Sequence, residues 1–469
     1  MEGCITIGEF KSKYKYIVYS VIFLLINDIS FGLNYHYVFK GINLIDIFNL
    51  DYGENSDSKS NSEFFKQHFY IRLILCYFGT FILSIIFYRL EIMESQLVKT
   101  SSQISNKGNR ISHILHTLEL IFLIYLWLLE DRFSEKLRNV LKHIDFWMLE
   151  FIFLSYFSNK CLKIEIYKHQ KIAMILTIIP CILKIVTIFL SFYDKDKIFG
   201  KSNKFKRDDG LLTILYVQYP LLLPIGIFIY LIMKFMIAYV TVSIKWQMDC
   251  RYISLNKILM IYGFLGTIIY SIICIITTFT VCPKDFKNYK NIFDYICETK
   301  DYQNNETYFS NFILYYNNIL AKNLLPEIIT VTFGILGFFF YKYFSLMILK
   351  NLTPIHLVFS LPLYYIMRKI ILSISIIINK EYAFDDYKIY KIKYIIDITV
   401  DFICLFGYLI VLEIIKLNFC ELNHNYSENI ILRAVNEFSS ERLIKDNDTE
   451  YGNENEKEDD IPCSDNNSE

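Results

Sequence analysis

The chain has 469 residues, 48 basic and 48 acidic side chains, 54% hydrophobic residues and a mean hydropathy of +0.32. Soluble chains of this length carry about 45–50% apolar residues. Forty Phe and 37 Tyr beside only 8 Pro and 16 Gly exclude a disordered, collagen-like or β-solenoid chain, and a water-facing surface over most of the molecule. The zero net charge hides segregation, because residues 421–469 hold 14 acidic and 4 basic side chains against 34 and 44 in the remainder. A basic body thus carries an acidic tail. The tail lacks the apolar residues that would offset its ordering entropy and reads as disordered and solvated. An electrostatic latch onto a basic loop is its functional alternative.

A membrane-crossing helix needs about 20 mostly apolar residues. In chain order the candidates are Tyr16–Leu33, Tyr70–Tyr88, Ile114–Leu129, His143–Phe157, Ile172–Phe192, Leu212–Val242, Ile258–Val281, Ile328–Leu349, Ile355–Ile378 and Tyr394–Leu417. The fourth is short and carries Glu150; the sixth is over-long and holds Pro220 and Pro224, which predict a kink or a preceding interfacial helix. Lys11, Lys13 and Lys15 precede the first span without a small-residue cleavage site, so it reads as a retained signal anchor. Positive charge there places the N-terminus in the cytosol, and ten spans return the acidic tail to the same side. The basic loops Arg89–Arg110 and Asn159–Lys171 then fall in the cytosol, whereas the equally basic stretch Lys195–Arg207 falls outside, against the rule.

Most of the 11 Cys are scattered through the spans, where Cys acts as a small apolar residue. Cys282 and Cys297 differ, since they flank part of a loop that the span count places in the lumen, together with the glycosylation sequon at Asn305. A Cys282–Cys297 disulfide and two separate thiols are both open readings. The chain has no nucleophile elbow, Walker loop, His-Glu-x-x-His or Cys-x-x-Cys, so neither catalysis nor a cofactor nor a metal is expected. His113, His116 and Glu119 have helical spacing for a metal, but no second helix offers evident partners.

Ionisable residues inside spans carry more information, because each costs at least about 2.5–3.5 kcal/mol at the bilayer centre unless paired or wet. They are Asp28, Glu119, Glu150, Lys184, Lys234, Lys342, Arg368, Lys369, Asp397, Asp401 and Glu413. Asp397 and Asp401 are four apart and share a helix face. Single residues of this kind can be explained by snorkelling or a structural ion pair. Taken together, they predict a polar cavity threaded through the bundle, which a transporter of polar solute needs.

Three stretches resemble the drug/metabolite transporter superfamily. Leu149-Glu-Phe-Ile-Phe-Leu-Ser-Tyr-Phe-Ser-Asn-Lys160 through Gln170 and the apolar run after it look like that superfamily's fourth-to-fifth-helix connection. Lys245-Trp-Gln-Met-Asp249 with Gly263-Phe-Leu-Gly266 resembles its sixth-to-seventh-helix stretch. Leu352-Thr-Pro-Ile-His356, Ile366-Met-Arg-Lys369, the hinge Asn379–Asp386 and Gly407-Tyr-Leu-Ile-Val-Leu412 resemble its ninth and tenth helices. The chain lacks the Gly-Asn ahead of the basic pair found in many nucleotide-sugar members. Its long seventh-to-eighth loop with cysteines and its acidic tail are similar to the chloroquine-resistance-transporter branch.

The resemblance implies an all-α integral membrane fold of about ten transmembrane helices in two inverted five-helix repeats. The chain then divides into a cytosolic N-terminus (1–15), a first repeat (16–192), a linker (193–211), a second repeat (212–418, with a lumenal loop at 283–325) and the acidic tail (419–469). Arg368 and Lys369, with His356 and Asp28, form the candidate substrate-binding set. Asp397, Asp401, Glu150 and Glu119 are candidates for charge pairing or proton coupling. The expected function is alternating-access transport of a small polar, or anionic, metabolite across an endomembrane (Golgi, ER, or a lysosome- or vacuole-like compartment). Expected partners are membrane lipids and the solute but no nucleic acid, with a homodimer left open. A non-transporting receptor or scaffold and a membrane-embedded lipid transferase are the competing readings.

Overall fold

The computed structural model describes residues 7–31, 69–97, 117–128, 148–164, 166–193, 222–279, 299–301, 306–308, 311–316, 324–367, 370, 387–411 and 415. Described helices overlap all ten of the predicted spans. They are α1 (Ile7–Phe31), α2 (Phe69–Leu97), α3 (Thr117–Leu128), α4 (Met148–Leu162) and α5 (Lys168–Tyr193). Then follow α6 (Leu222–Arg251), α7 (Leu255–Thr278), α8 (Leu324–Asn351), α9 (Pro354–Met367) and α10 (Tyr387–Val411). Between α7 and α8 lie a small antiparallel hairpin, β1 (Thr299–Asp301) with β2 (Glu306–Tyr308), and a single helical turn, Phe312–Tyr315. The described chain is otherwise helical.

Local chemistry sets these boundaries. The Ser254 hydroxyl accepts from the Lys257 amide at 3.2 Å and starts α7. Pro354, at the first turn of α9, donates no backbone hydrogen bond where none is needed. Tyr252 (φ 52°) and Lys163 (φ 55°) adopt left-handed backbone without glycine, turning the chain sharply between α6 and α7 and between α4 and α5. α5 continues through Pro180, which removes one helical hydrogen bond. The sixth segment proves to be one helix from Leu222, with Pro224 inside its first turn.

Four helices (Ile71–Ile92, Phe228–Arg251, Leu255–Thr278 and Ile328–Asn351 in their described parts) are long and apolar enough to cross a membrane. α1, α3, α9 and α10 are apolar over shorter described lengths. The outward surface agrees, since Ile82, Ile86, Phe122, Ile175, Ile182, Phe228, Ile272 and Ile275 are all exposed. An apolar surface that extensive is unfavourable in water and suited to lipid. These are the features of a membrane protein.

Packing fixes helix directions. α2 and α7 run antiparallel, with Phe81 against Phe264 (ring centres 5.5 Å apart) and Glu91 accepting from Asn256 at 2.9 Å. Gly263 permits that approach, because a Cβ there would lie 2.6 Å from the Phe81 nitrogen. α1 and α8 are also antiparallel, Ser20 meeting Ser345 and Asn27 lying against Gly337. α4 and α6 are parallel, through Glu150–Lys234 and Phe157–Tyr239. Pairs of like parity run parallel and pairs of unlike parity antiparallel, as consecutive membrane crossings require.

Two apolar cores result. The first joins α4, α5, α6, α9 and α10 around Phe151, Leu154, Ala173, Val242, Phe359, Cys404 and Tyr408. The second joins α2, α3, α6, α7 and α8 around Tyr77, Leu123, Ile124, Ile244, Leu259, Tyr262 and Phe339. The ends of α2, α4, α6 and α8 gather with the starts of α3, α5, α7 and α9. Arg89, Lys160, Lys163, Lys168, Lys171, Arg251, Lys257 and Lys350 all sit at this end.

Candidate functional site

α4 and α6 meet at a buried ion pair. Lys234 Nζ donates to Glu150 Oε2 at 2.9 Å, and both side chains are 10% exposed. Lys234 stands twelve residues after Leu222 and seventeen before Arg251. At 1.5 Å per residue those are about 18 Å and about 26 Å along α6, so Lys234 lies well inside its helix, while Glu150 lies in the first turn of α4. Both charges are nearly removed from water, and each needs the other.

The Tyr230 ring lies one turn before Lys234, with its centre 5.7 Å from the ammonium. α10 closes the far side. Fully buried Tyr408 packs edge-on against Phe151 at 5.0 Å and tilts onto Phe359 at 6.2 Å. Glu150 and Cys404 lie within electrostatic reach of its hydroxyl. Asp401, 2% exposed, precedes Cys404 and Tyr408 on the same α10 face. On α4, the Ser158 hydroxyl is buried without a hydrogen-bond partner, as are few polar atoms among the described residues. Glu150, Lys234 and the Tyr230 ring thus meet inside the first core, with Tyr408 of α10 packed beside them on Phe151. Such a set can hold a polar solute or pass a proton between Glu150 and its neighbours.

The predicted site residues separate. Glu150 belongs to this set with Lys234 as its partner, and Asp401 is buried on α10. Glu119 stands at the start of α3, 44% exposed, and accepts from Arg251 at 2.7 Å. It ties helix ends together and is not part of that set. His356 Nδ1 lies 2.7 Å from the Thr353 hydroxyl and accepts from the Thr353 amide at 3.4 Å, forming a capping box at the start of α9. Asp28 and Asp397 fall on α1 and α10, but their side chains lie outside the described residues. Arg368, Lys369, Cys282, Cys297, Asn305 and the acidic tail also lie outside them. No cluster of His, Cys, Asp and Glu that could hold a metal occurs among the described residues.

Sequence reasoning named Lys234 as an intramembrane charge and gave it no role. Its partner is 84 positions away, and only the parallel packing of α4 on α6 joins them. Tyr230, one turn earlier, was the available signal, an aromatic at helical spacing from an intramembrane lysine.

No model of a known protein family matches the chain, and comparison with curated proteins finds no relative.

Proposed function

We propose that the protein is a transporter of a small polar solute, built from two inverted five-helix repeats and working by alternating access at the Glu150–Lys234 pair. What carries the reading is the pattern of helix contacts. Exchanging each helix with the one five places on (α1 with α6, α2 with α7, and so forth) turns several of its contacts into one another. The pairs α2–α7, α4–α9 and α5–α10 map onto themselves. The α1–α8 contact maps onto α6–α3, made by Arg251 and Glu119. The α4–α6 contact maps onto α9–α1, where Tyr364 packs with Val21 and Leu25. The α2–α8 contact maps onto α7–α3, through Tyr262 and Trp127, and α4–α5 onto α9–α10. Five is odd, so each exchange inverts helix direction, which is the relation an in-plane two-fold produces and alternating access exploits.

The buried charges supply the site. A buried ion pair between two helices supports a solute path, because a solute carrying charge of its own can exchange contacts with Lys234 and Glu150. By the positive-inside rule the basic end of the bundle is read as the cytosolic side, which supports a cytosolic N-terminus.

The test is uptake into proteoliposomes of a panel of carboxylates, amino acids, sugars and phosphorylated metabolites, measured by mass spectrometry. Protein-dependent accumulation of one class is expected, and Lys234→Met/Glu150→Gln abolishes it while the protein stays monodisperse. Absence of flux for every class, or flux unchanged in the double variant, defeats the proposal.

A further inference from the structure

Lys342, on α8, is buried in the second core, and its charge is enclosed by rings. Its Nζ lies 4.7 Å from the ring centre of Trp127, 5.2 Å from Tyr262, 5.5 Å from Tyr341 and 5.9 Å from Phe338. Tyr341 and Phe338 belong to α8 itself, but Trp127 comes from α3 and Tyr262 from α7. Three helices therefore converge on one ammonium.

The rings also hold one another. Trp127 and Tyr262 are 4.8 Å apart, and Tyr262 stacks on Phe338 at 6.2 Å. Tyr77 packs edge-on against both Tyr262 and Phe338 from behind, at 5.4 Å and 5.2 Å. The enclosure is thus braced by ring contacts as well as by the lysine that fills it. Aromatic faces attract any cation, and the attraction grows where water is excluded. An alkylated ammonium suits such a box better than a primary one, because it has less hydration to lose and presents methyl groups to the rings. The lysine ammonium is compact, strongly hydrated and carried on a flexible four-carbon stem that can withdraw.

We propose that Trp127, Tyr262, Phe338 and Tyr341 form a binding site for a small organic ammonium ion, in which Lys342 is the tethered resident that a free alkylammonium displaces. The site is separate from the Glu150–Lys234 pair, and it stands or falls independently of the transport reading.

The probe is tetramethylammonium chloride. It is titrated into detergent-purified protein carrying Trp147→Phe and Trp246→Phe, which leaves Trp127 as the remaining one of the three tryptophans. With Lys342→Ala added, a saturable change in Trp127 emission and a rise in melting temperature are expected. Equal sodium chloride should have no effect, and the uncharged isostere 3,3-dimethyl-1-butanol little. With Lys342 present, half-saturation should need about tenfold more ligand, since the resident ammonium competes. Adding Tyr262→Leu to Lys342→Ala should remove the thermal shift. A folded Lys342→Ala protein without saturable response overturns the proposal, as does a shift that survives Tyr262→Leu. Should Lys342→Ala not fold, Lys342→Gln replaces it. Should that also fail, the titration with Lys342 in place decides, a saturable response supporting the site and none overturning it.

Discussion

The two cores each bury a lysine, and the described surroundings of the two ammonium groups differ. In the first core Lys234 meets the Glu150 carboxylate at 2.9 Å, while in the second Lys342 lies among four aromatic rings. A carboxylate partner carries a full charge held at one point. Ring faces do not titrate, and their attraction for a cation is modest, about 0.5–2 kcal/mol. In the transport reading, the first core holds the solute site and the second an ammonium packed among rings. Packing follows the same division. The second core closes on backbone, with Gly263 against Phe81, whereas Gly407 in the first leaves ordinary van der Waals room beside Thr177 and Ala173.

Breaking the ion pair should have the largest effect. Glu150→Ala leaves Lys234 charged and buried, and removing one partner of a buried pair costs about 3–5 kcal/mol. A large fall in melting temperature is expected for Glu150→Ala, and a much smaller one for Glu150→Gln/Lys234→Met, which removes both charges. Equal losses in the two variants would mean that the pair contributes through packing and not through charge. The contrast between the lysines would then disappear.

The glycines come next. A Cβ at Gly263 would sit 2.6 Å from the Phe81 nitrogen and 2.9 Å from the Tyr77 oxygen, both backbone atoms that cannot swing aside. Gly263→Ala should therefore cost about 1–3 kcal/mol through overpacking. At Gly407 the nearest atoms are the Thr177 methyl carbon at 3.4 Å and the Ala173 oxygen at 3.5 Å. Gly407→Ala should be neutral or slightly stabilising, because it also reduces the freedom of the unfolded helix. Thermal denaturation of the two variants in one detergent makes the comparison, and similar values would show that the cores are packed alike.

Helices were legible in the sequence because apolar runs of membrane length, few breakers and basic flanks all act locally. A described helix overlaps each predicted span, including the short fourth segment and the long sixth. Helix pairing was not legible, since it depends on which faces match across gaps of tens to hundreds of residues. Glu150 and Asp401 could be singled out because an acid in an apolar run is conspicuous by itself. Glu119 and His356 stood out in the same way, but Glu119 lies where α3 begins and His356 where α9 begins. There a carboxylate and an imidazole serve as tie and cap. Lys342 was visible as a charge, whereas its box needed Trp127 and Tyr262 to arrive from α3 and α7. Aromatic residues are so abundant in this chain that composition could not mark those two.

The smallest effect is expected at the basic end, and it limits how far the comparison extends. Arg251 Nη1 donates to Glu119 Oε2 at 2.7 Å and to Gln247 Oε1 at 3.0 Å, while its guanidinium lies 4.5 Å from the Trp246 ring centre. Glu119 is 44% exposed, so the pair is screened by water and salt, and such pairs contribute about 0–1 kcal/mol. Arg251→Ala should lower stability by no more than that, and by less as ionic strength rises. The pair nevertheless ties α3 to α6, the counterpart of the α1–α8 contact under the five-helix exchange. A tie of low energy at one end of the bundle is what a gate requires, since opening must not cost more than a solute can supply. In the transport reading, Arg251→Ala shifts the protein toward the state open at the basic end, so cysteines placed near Asn256 should react faster with a membrane-impermeant thiol reagent. Unchanged reactivity with unchanged stability would make the pair a surface contact and leave the buried ion pair as the element that controls access.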